Sequence, residues 1–252
     1  MVTVRLKAVV EYDGTDFFGW QKQKDRRTVQ GEIEEVFARR FGRRIVVVGA
    51  GRTDTGVHAL GQVFHCDCPI HNSDAPQREN IIAELHKSLS AMLPPDIVCK
   101  TLETAPPGFH ARFGAKRRCY RYYIHIGRTA LNYRFCWEVS YRLAVGKMRR
   151  AVPPLIGEHT FEPFAKLNSK EKHYRCVVYE AALQKRGDTL CFTIIADRFL
   201  HGMVRAIVGT LIDVGRGAQE TDIFARILET RNRSLVGCLA PAHGLFLEAV
   251  EY

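Results

Sequence analysis

Val4, Leu6, Ala8, Val10 and Tyr12 alternate along the first residues, with Arg5 and Lys7 between them, until Asp13-Gly14 breaks the run. That period of two predicts a strand. After the loop 15–23 the period changes: Val29, Ile33, Val36 and Phe37 form the apolar stripe of a helix that Thr28 can cap. Glu32, Glu34 and Glu35 fall early in this helix and Arg39 and Arg40 late, as its dipole favours. Ile45 to Val48 is a β-branched run suited to a buried strand, and a second strand opens at Gln62-Val63-Phe64 and continues to Cys68. A further helix near Arg78 to Leu93 carries Ile81, Ile82, Leu85, Leu89 and Met92 before Pro94-Pro95 ends it, and Ile97 to Leu102 reads as a strand. The order is βαββαβ, a ferredoxin-like unit.

Pro106-Pro107-Gly108 marks a boundary, and the pattern then repeats with insertions. Arg118 to Ile126 is an expected strand, Lys147 to Val152 part of a helix, and Val177 to Leu183 with Leu190 to Ile195 a hairpin around Arg186-Gly187-Asp188. Helices near His201 to Val214 and Thr221 to Glu229 precede a closing strand at Leu245 to Tyr252. The expected fold class is therefore α+β: two ferredoxin-like units, 1–104 and 105–252, forming a mixed, mostly antiparallel sheet with helices on one face. A cleft where the units meet is the natural place for a substrate.

Composition adds a partner to this picture. Lys and Arg number 37 against 27 Asp and Glu, and a net charge of +10 points to a polyanion, nucleic acid first. No apolar run approaches the length that spans a bilayer, and no signal or transit segment is visible, so no membrane association is expected. The eight cysteines include no Cys-x-x-Cys pair, which disfavours a zinc ribbon, and reduced thiols fit a cytoplasmic protein. The one cluster, His65-Cys66-Asp67-Cys68 with His71, puts Cys66 and Cys68 on one strand face and His65 on the other, without four converging metal ligands.

Candidate chemistry centres on the turn-rich stretch from Ala50 to Gln62. Gly49, Gly51 and Gly56 permit φ > 0 or the close approach of another backbone, while Arg52 and Asp54 bring opposite charges to one place. Gly49-x-Gly51 resembles the start of a phosphate loop, but the third glycine is missing and Asp54 would repel a phosphate. A turn in which Asp54 merely caps local donors is the plainer alternative. Phe109-His110-Ala111-Arg112-Phe113 and Lys116 to Tyr123 interleave cations with aromatics, as suits phosphates and stacked bases; a basic strand edge kept soluble by its charges is the competing reading. Arg205 sits among apolar neighbours in the predicted helix, so that partial burial would require an anion, for which Asp54 is the natural choice. An ordinary solvent-facing arginine fits the spacing as well.

Five motifs in order carry a resemblance: Tyr12-Asp13-Gly14-Thr15 through Gly19-Trp20-Gln21; Gly51-Arg52-Thr53-Asp54-x-Gly56-Val57-His58-Ala59; Phe109 to Phe113; Phe199-Leu200-His201-x-Met203-Val204-Arg205; and Ala240-Pro241-Ala242-His243-Gly244-Leu245. Together they resemble the TruA family of tRNA pseudouridine synthases and span almost the whole chain. Two departures are Thr55, where the family usually has alanine, and Thr160 in Gly157-x-His159-x-Phe161, where it usually has aspartate.

The resemblance implies the pseudouridine synthase fold and isomerisation of uridine to pseudouridine at positions 38 to 40 of the tRNA anticodon stem-loop, by a cytoplasmic homodimer without metal or cofactor. Asp54 would be the catalytic carboxylate, either attacking C1′ or taking the C2′ proton to form a glycal, and the sequence leaves both routes open. Tyr120 would stack on the uracil and help move the C5 proton. Arg205 would pair with Asp54. Arg52 would hold the place the flipped nucleotide vacates, Phe109 to Phe113 would bind RNA, and Leu245 would wall the pocket.

Overall fold

The computed structural model describes residues 2–70, 75–167 and 173–252. The chain is an α+β protein whose strands are mostly antiparallel, and it folds as two compact units, Met1–Lys116 with Leu247–Tyr252, and Arg117–Phe246.

In the first unit, β1 (Val2–Tyr12), α1 (Val29–Phe41), β2 (Val47–Gly49), β3 (His58–Ile70), α2 (Ala75–Met92) and β4 (Ile97–Thr104) follow in the expected βαββαβ order. The strands lie β4-β1-β3, with β2 antiparallel to β3 and the last residues of β10 (Leu245–Glu251) also beside β3. Thr28 caps α1 by accepting from Gly31 N at 3.2 Å, and Gly42 at φ 63° ends it. Register pairs Val4 with Cys68, Leu6 with Cys66 and Ala8 with Phe64, so one face of β1 and β3 is apolar up to Gln62, which stands opposite Val10. α1 packs on that face, Phe37 meeting Phe64 edge-on at 6.2 Å between ring centres. Each large apolar side chain buried there contributes about 1.5–3 kcal/mol.

The opposite face pairs Arg5 with Asp67, Lys7 with His65 and Val9 with Val63. It is covered by chain beyond β4, for Ala50, Val63 and Ala111 form a small buried cluster against which Val9, Phe109, Val250 and Tyr252 pack. This second layer explains why the compact unit extends to Lys116 and takes back residues 247–252, whereas the proline-rich boundary put the division at 104/105. β3 also starts earlier than its apolar run: Ala59 pairs with Tyr12 across a register shift in β1, so His58 to Gly61 belong to the strand and not to the turn. The first of the β-branched runs forms strand only at Val47–Gly49.

The second unit contains β5 (Arg117–Ile126), β6 (Trp137–Val139), α3 (Val145–Ala151), β7 (Gly157–Thr160), β8 (Arg175–Arg186), β9 (Thr189–Ala196), α4 (Met203–Gly215) and α5 (Ile223–Thr230), and it ends with the first two residues of β10. Its strands lie β5-β9-β8-β7, all antiparallel, with β6 parallel to β5. Tyr120, Tyr122 and Ile124 stand opposite Ile194, Phe192 and Leu190, and all six are buried. Every residue of α4 except Arg205 is buried, as expected of a helix enclosed on all sides. β6 and β7, at three and four residues, are too short to leave a periodic signal. No helix among the described residues is long and apolar enough to cross a membrane.

Candidate active site

The loop between β2 and β3 holds Asp54, and the segment after β1 clasps it. Any Cβ on Gly14 would overlap the Val57 carbonyl, so only glycine allows the two backbones to approach this closely. Gly14 N donates to His58 Nδ1 at 2.9 Å, Gly56 N to Phe17 O at 3.4 Å, and Trp20 N to Thr53 O at 3.1 Å. Gly19 has φ 82°, and a Cβ there would stand 2.6 Å from Thr53 O. Trp20 lies flat against Gly49, where a Cβ would come within 2.6 Å of the ring. From β1, Tyr12 Oη and Thr53 Oγ1 share a buried hydrogen bond of 2.8 Å, and burial pushes the Tyr12 phenol up, which keeps its proton on. Gln62 Nε2 donates to Gly51 O at 2.9 Å, and Val57 N closes the turn on Asp54 O at 3.1 Å.

The backbone on both sides of Asp54 is thus fixed from three directions. Asp54 itself is half-buried and Arg52 is exposed. A carboxylate on so constrained a loop is suited to serve as nucleophile or base at a fixed point. The motif from Tyr12 to Gln21 carried no role of its own in the sequence, and the structure supplies one: its glycines admit the Asp54 loop.

Phe109 to Phe113 lies on the polar face of the first unit. Arg5 bonds both carboxylate oxygens of Asp67 at 2.8 Å and donates through Nη1 to Phe109 O at 3.0 Å. Ala111 is fully buried; its N donates to His65 Nδ1 at 3.1 Å and its O accepts from Tyr252 Oη at 2.8 Å. Burial, with His110 and Arg5 nearby, lowers His65 to about 4, consistent with a neutral ring accepting through Nδ1. His110 Nδ1 accepts from Arg112 N and Phe113 N, and its ring stacks on Phe113 at 4.5 Å. Buried Ala111 therefore anchors a turn that presents Arg112 and Phe113 outward, Phe113 being 80% exposed. The segment is an anchored turn and not the edge of a strand.

Tyr120, Arg205 and Leu245 belong to the second unit. Tyr120 is buried on β5 and meets Phe199 edge-on at 5.0 Å. Arg205 sits in the first turn of α4, which has no acidic residue, so its charge opposes the helix dipole at a cost of about 0.3–1 kcal/mol. Its Nε donates to Ala240 O at 2.7 Å while Ala240 N returns a bond to Arg205 O at 3.1 Å, fixing the side chain in part through the motif that begins at Ala240. Tyr122, read from the sequence only as part of the run of cations and aromatics, donates to Pro241 O at 2.7 Å and lies so close to Gly244 that a Cβ there would be 2.6 Å from its ring. It sets the approach to Leu245, which is buried. The alternation Tyr120, Tyr122, Ile124 was the available signal.

In the cysteine cluster, Cys66 and Cys68 do share a face, their sulfurs 3.7 Å apart, while His65 turns to Ala111 on the other. Hydrogen bonding to Cys68 and burial push the Cys66 thiol well up, and burial pushes Cys99 up to about 12, so both stay protonated at neutral pH. Among the described residues no group of three or more His, Cys, Asp or Glu side chains is gathered for a metal; His71 lies outside them.

The family model described as tRNA pseudouridine synthase matches residues 8–114 and 151–252. The chain belongs to this family. It is 39% identical over 248 residues to the tRNA pseudouridine synthase A of Exiguobacterium sp., covering 98% of each chain, and 39% identical over 250 residues to that of Anoxybacillus flavithermus, again 98% of each. A tRNA pseudouridine synthase A from Geobacillus kaustophilus is 38% identical over 254 residues, covering all of this chain and 95% of that one. Pseudouridine synthases are isomerases, and this chain is one by family. The matched segments contain Asp54, Phe109 to Phe113, Arg205 and Leu245, whereas Tyr120 lies between them.

Proposed function

We propose that the protein isomerises uridine to pseudouridine at positions 38 to 40 of the tRNA anticodon stem-loop, with Asp54 as the catalytic carboxylate. The observation that carries this reading is the clasped loop, which holds a half-buried carboxylate in a chain of the tRNA pseudouridine synthase family. The N1–C1′ bond breaks, the uracil turns while still held, C5 bonds to C1′, the C5 proton departs and N1 gains one. Asp54 acts by attack on C1′ or by removal of the C2′ proton, and both routes conserve the atoms of the base.

Residues 1–104 bring Asp54 to the substrate, and residues 105–252 bring Arg205, Tyr120 and Leu245. Arg205 pairs with Asp54 and keeps it ionised once water is shut out. Tyr120 stacks on the uracil and helps transfer the C5 proton, Leu245 walls the base pocket, and Arg52 enters the place of the flipped nucleotide. Phe109 to Phe113 grips the RNA. The net charge of +10 supports a long phosphate track, which a cytoplasmic homodimer with one tRNA across both subunits would supply.

The test is incubation with uridine-labelled tRNA transcript, without nucleotide or metal, followed by mapping of pseudouridine. Pseudouridine confined to positions 38 to 40 is the expected product; none, or product only elsewhere in the tRNA, refutes the assignment.

A further inference from the structure

We infer that Gln30 and Glu34, on the buried side of α1, are positioning residues for the Asp54 loop, an inference that rests on the catalytic reading of Asp54. The sequence places Glu34 among the acidic residues that favour the start of a helix. The structure buries it instead, at 2% exposure, with Gln30 at 7%.

Gln30 uses its whole hydrogen-bonding capacity. Its Oε1 accepts from Gln21 Nε2 at 2.6 Å and from Lys22 N at 2.9 Å, while its Nε2 donates to Glu34 Oε1 at 2.9 Å and to Val47 O at 3.0 Å. Glu34 Oε1 also accepts from Val47 N at 3.2 Å, and its Oε2 accepts from Lys22 Nζ at 3.1 Å. Gln30 N donates to Trp20 O at 3.0 Å.

The two ends of this network are the two structures that hold the Asp54 loop. Gln21 and Lys22 continue the clasp directly from Trp20, whose N–H holds Thr53 O, one residue before Asp54. Val47 opens β2, which two residues later presents Gly49 to the Trp20 ring. A fully satisfied buried network has one low-energy arrangement, and loss of one member leaves several partners unpaired. Gln30 and Glu34 therefore fix the spacing between clasp and β2, and with it the place of Thr53 and Asp54. Their contribution is to turnover more than to RNA affinity, because both are buried and bond only to protein groups.

The experiment compares Gln30→Met, Glu34→Leu and Glu34→Gln with the parent in steady-state kinetics on a tRNA transcript, together with RNA binding and thermal unfolding. Gln30→Met and Glu34→Leu are expected to lower kcat about 100-fold, the scale of a small misplacement transmitted from outside the chemistry, with KM and Kd within about threefold. Glu34→Gln keeps an oxygen for Val47 N and Gln30 and replaces the acceptor for Lys22 with an amide NH2, from which the half-exposed Lys22 ammonium can turn to water, so it should rescue kcat to within about threefold of the parent. Folded Gln30→Met and Glu34→Leu proteins that keep kcat within about threefold overturn the inference. So does a Glu34→Gln protein as impaired as Glu34→Leu.

If the first two variants do not fold, amide exchange in the unaltered protein decides: Trp20, Lys22 and Val47 amides must open together, and three independent rates overturn the inference. Asp54→Asn, assayed beside them, separates the two ideas. An active Asp54→Asn protein removes the catalytic reading itself; an inactive one, with the α1 variants unimpaired, removes only this inference.

Discussion

The Asp54 loop and the turn from Phe109 to Phe113 belong to one compact unit, yet they are held in opposite ways. Close-packed backbone dominates the first: Gly14, Gly19 and Gly49 admit neighbouring groups that any side chain would exclude, and the N–H groups of Gly14, Trp20, Gly56 and Val57 lock the residues around Asp54, with Tyr12, His58 and Gln62 as side-chain partners. Side chains hold the second, where Arg5, His65 and Tyr252 grip the buried Ala111 and Phe109 carbonyl while Arg112 and Phe113 face outward. A group that must meet one atom of a substrate needs the stiffness of close-packed backbone. Contacts that grip a long polyanion tolerate movement and add up. Damage to the first region should appear in turnover, and damage to the second in affinity.

Gly14→Ala is the most severe way to test this difference. Its Cβ overlaps the Val57 carbonyl, so the loop must move, and turnover on a tRNA transcript should fall about 100-fold or more while RNA affinity stays close to that of the parent. Overpacking of this kind also costs about 1–3 kcal/mol, which thermal unfolding will register. A Gly14→Ala protein that loses affinity and keeps kcat would reverse the comparison.

Arg205 extends the same logic to the second unit. Arg205→Met should lose about 100-fold in kcat, as removal of a fixed charged donor from a site commonly does, and Arg205→Lys should retain part of the activity because a point charge replaces a planar fork. Equal activity of the two variants would refute the proposed pairing with Asp54.

The outward turn predicts smaller, additive effects. Arg112→Ala combined with Phe113→Ala should weaken tRNA binding by about tenfold and make the logarithmic salt dependence shallower by about one, with kcat at saturating tRNA unchanged. A loss confined to kcat would place these residues in the chemistry instead.

The smallest effect concerns pH. His65 has its folded value lowered to about 4 by burial and by His110 and Arg5, against an ordinary value near 6.5. The unfolded chain then binds the proton first, so the stabilisation due to neutral His65 is complete above about pH 6.5 and is lost as pH falls toward about 4. Tm should drop over that interval by a few degrees more in the parent than in His65→Asn, whose amide oxygen can still accept from Ala111 N. Identical pH profiles would show that the turn is not held through His65.

Much of this was legible in the sequence, for reasons that differ by residue. Period-two and period-3.6 patterns gave the βαββαβ order of the first half because its elements are long and one-sided: Thr28 caps α1 as expected, and Phe37 and Phe64 meet in the core. The extent of the first unit was not legible, because Val9, Val63 and Ala111 bury a second face whose partners lie roughly fifty residues apart or more. Asp54 stood out by its glycines, but nothing local indicated that Gly14 and Gly19, some 40 residues earlier, make room for it. Glu34 carries the same charge as its exposed neighbour Glu35, and only the fold turns one inward.

The central claim is that Asp54 does chemistry and does not hold RNA, and single-turnover reaction of Asp54→Asn with radiolabelled tRNA, beside a filter-binding titration, tests it most directly. The amide keeps the shape of the side chain but can neither attack C1′ nor take the C2′ proton. The account predicts no pseudouridine above background from a folded variant whose Kd for tRNA is within about threefold of the parent. Substantial pseudouridine from that variant, or loss of activity explained wholly by loss of binding, would contradict it.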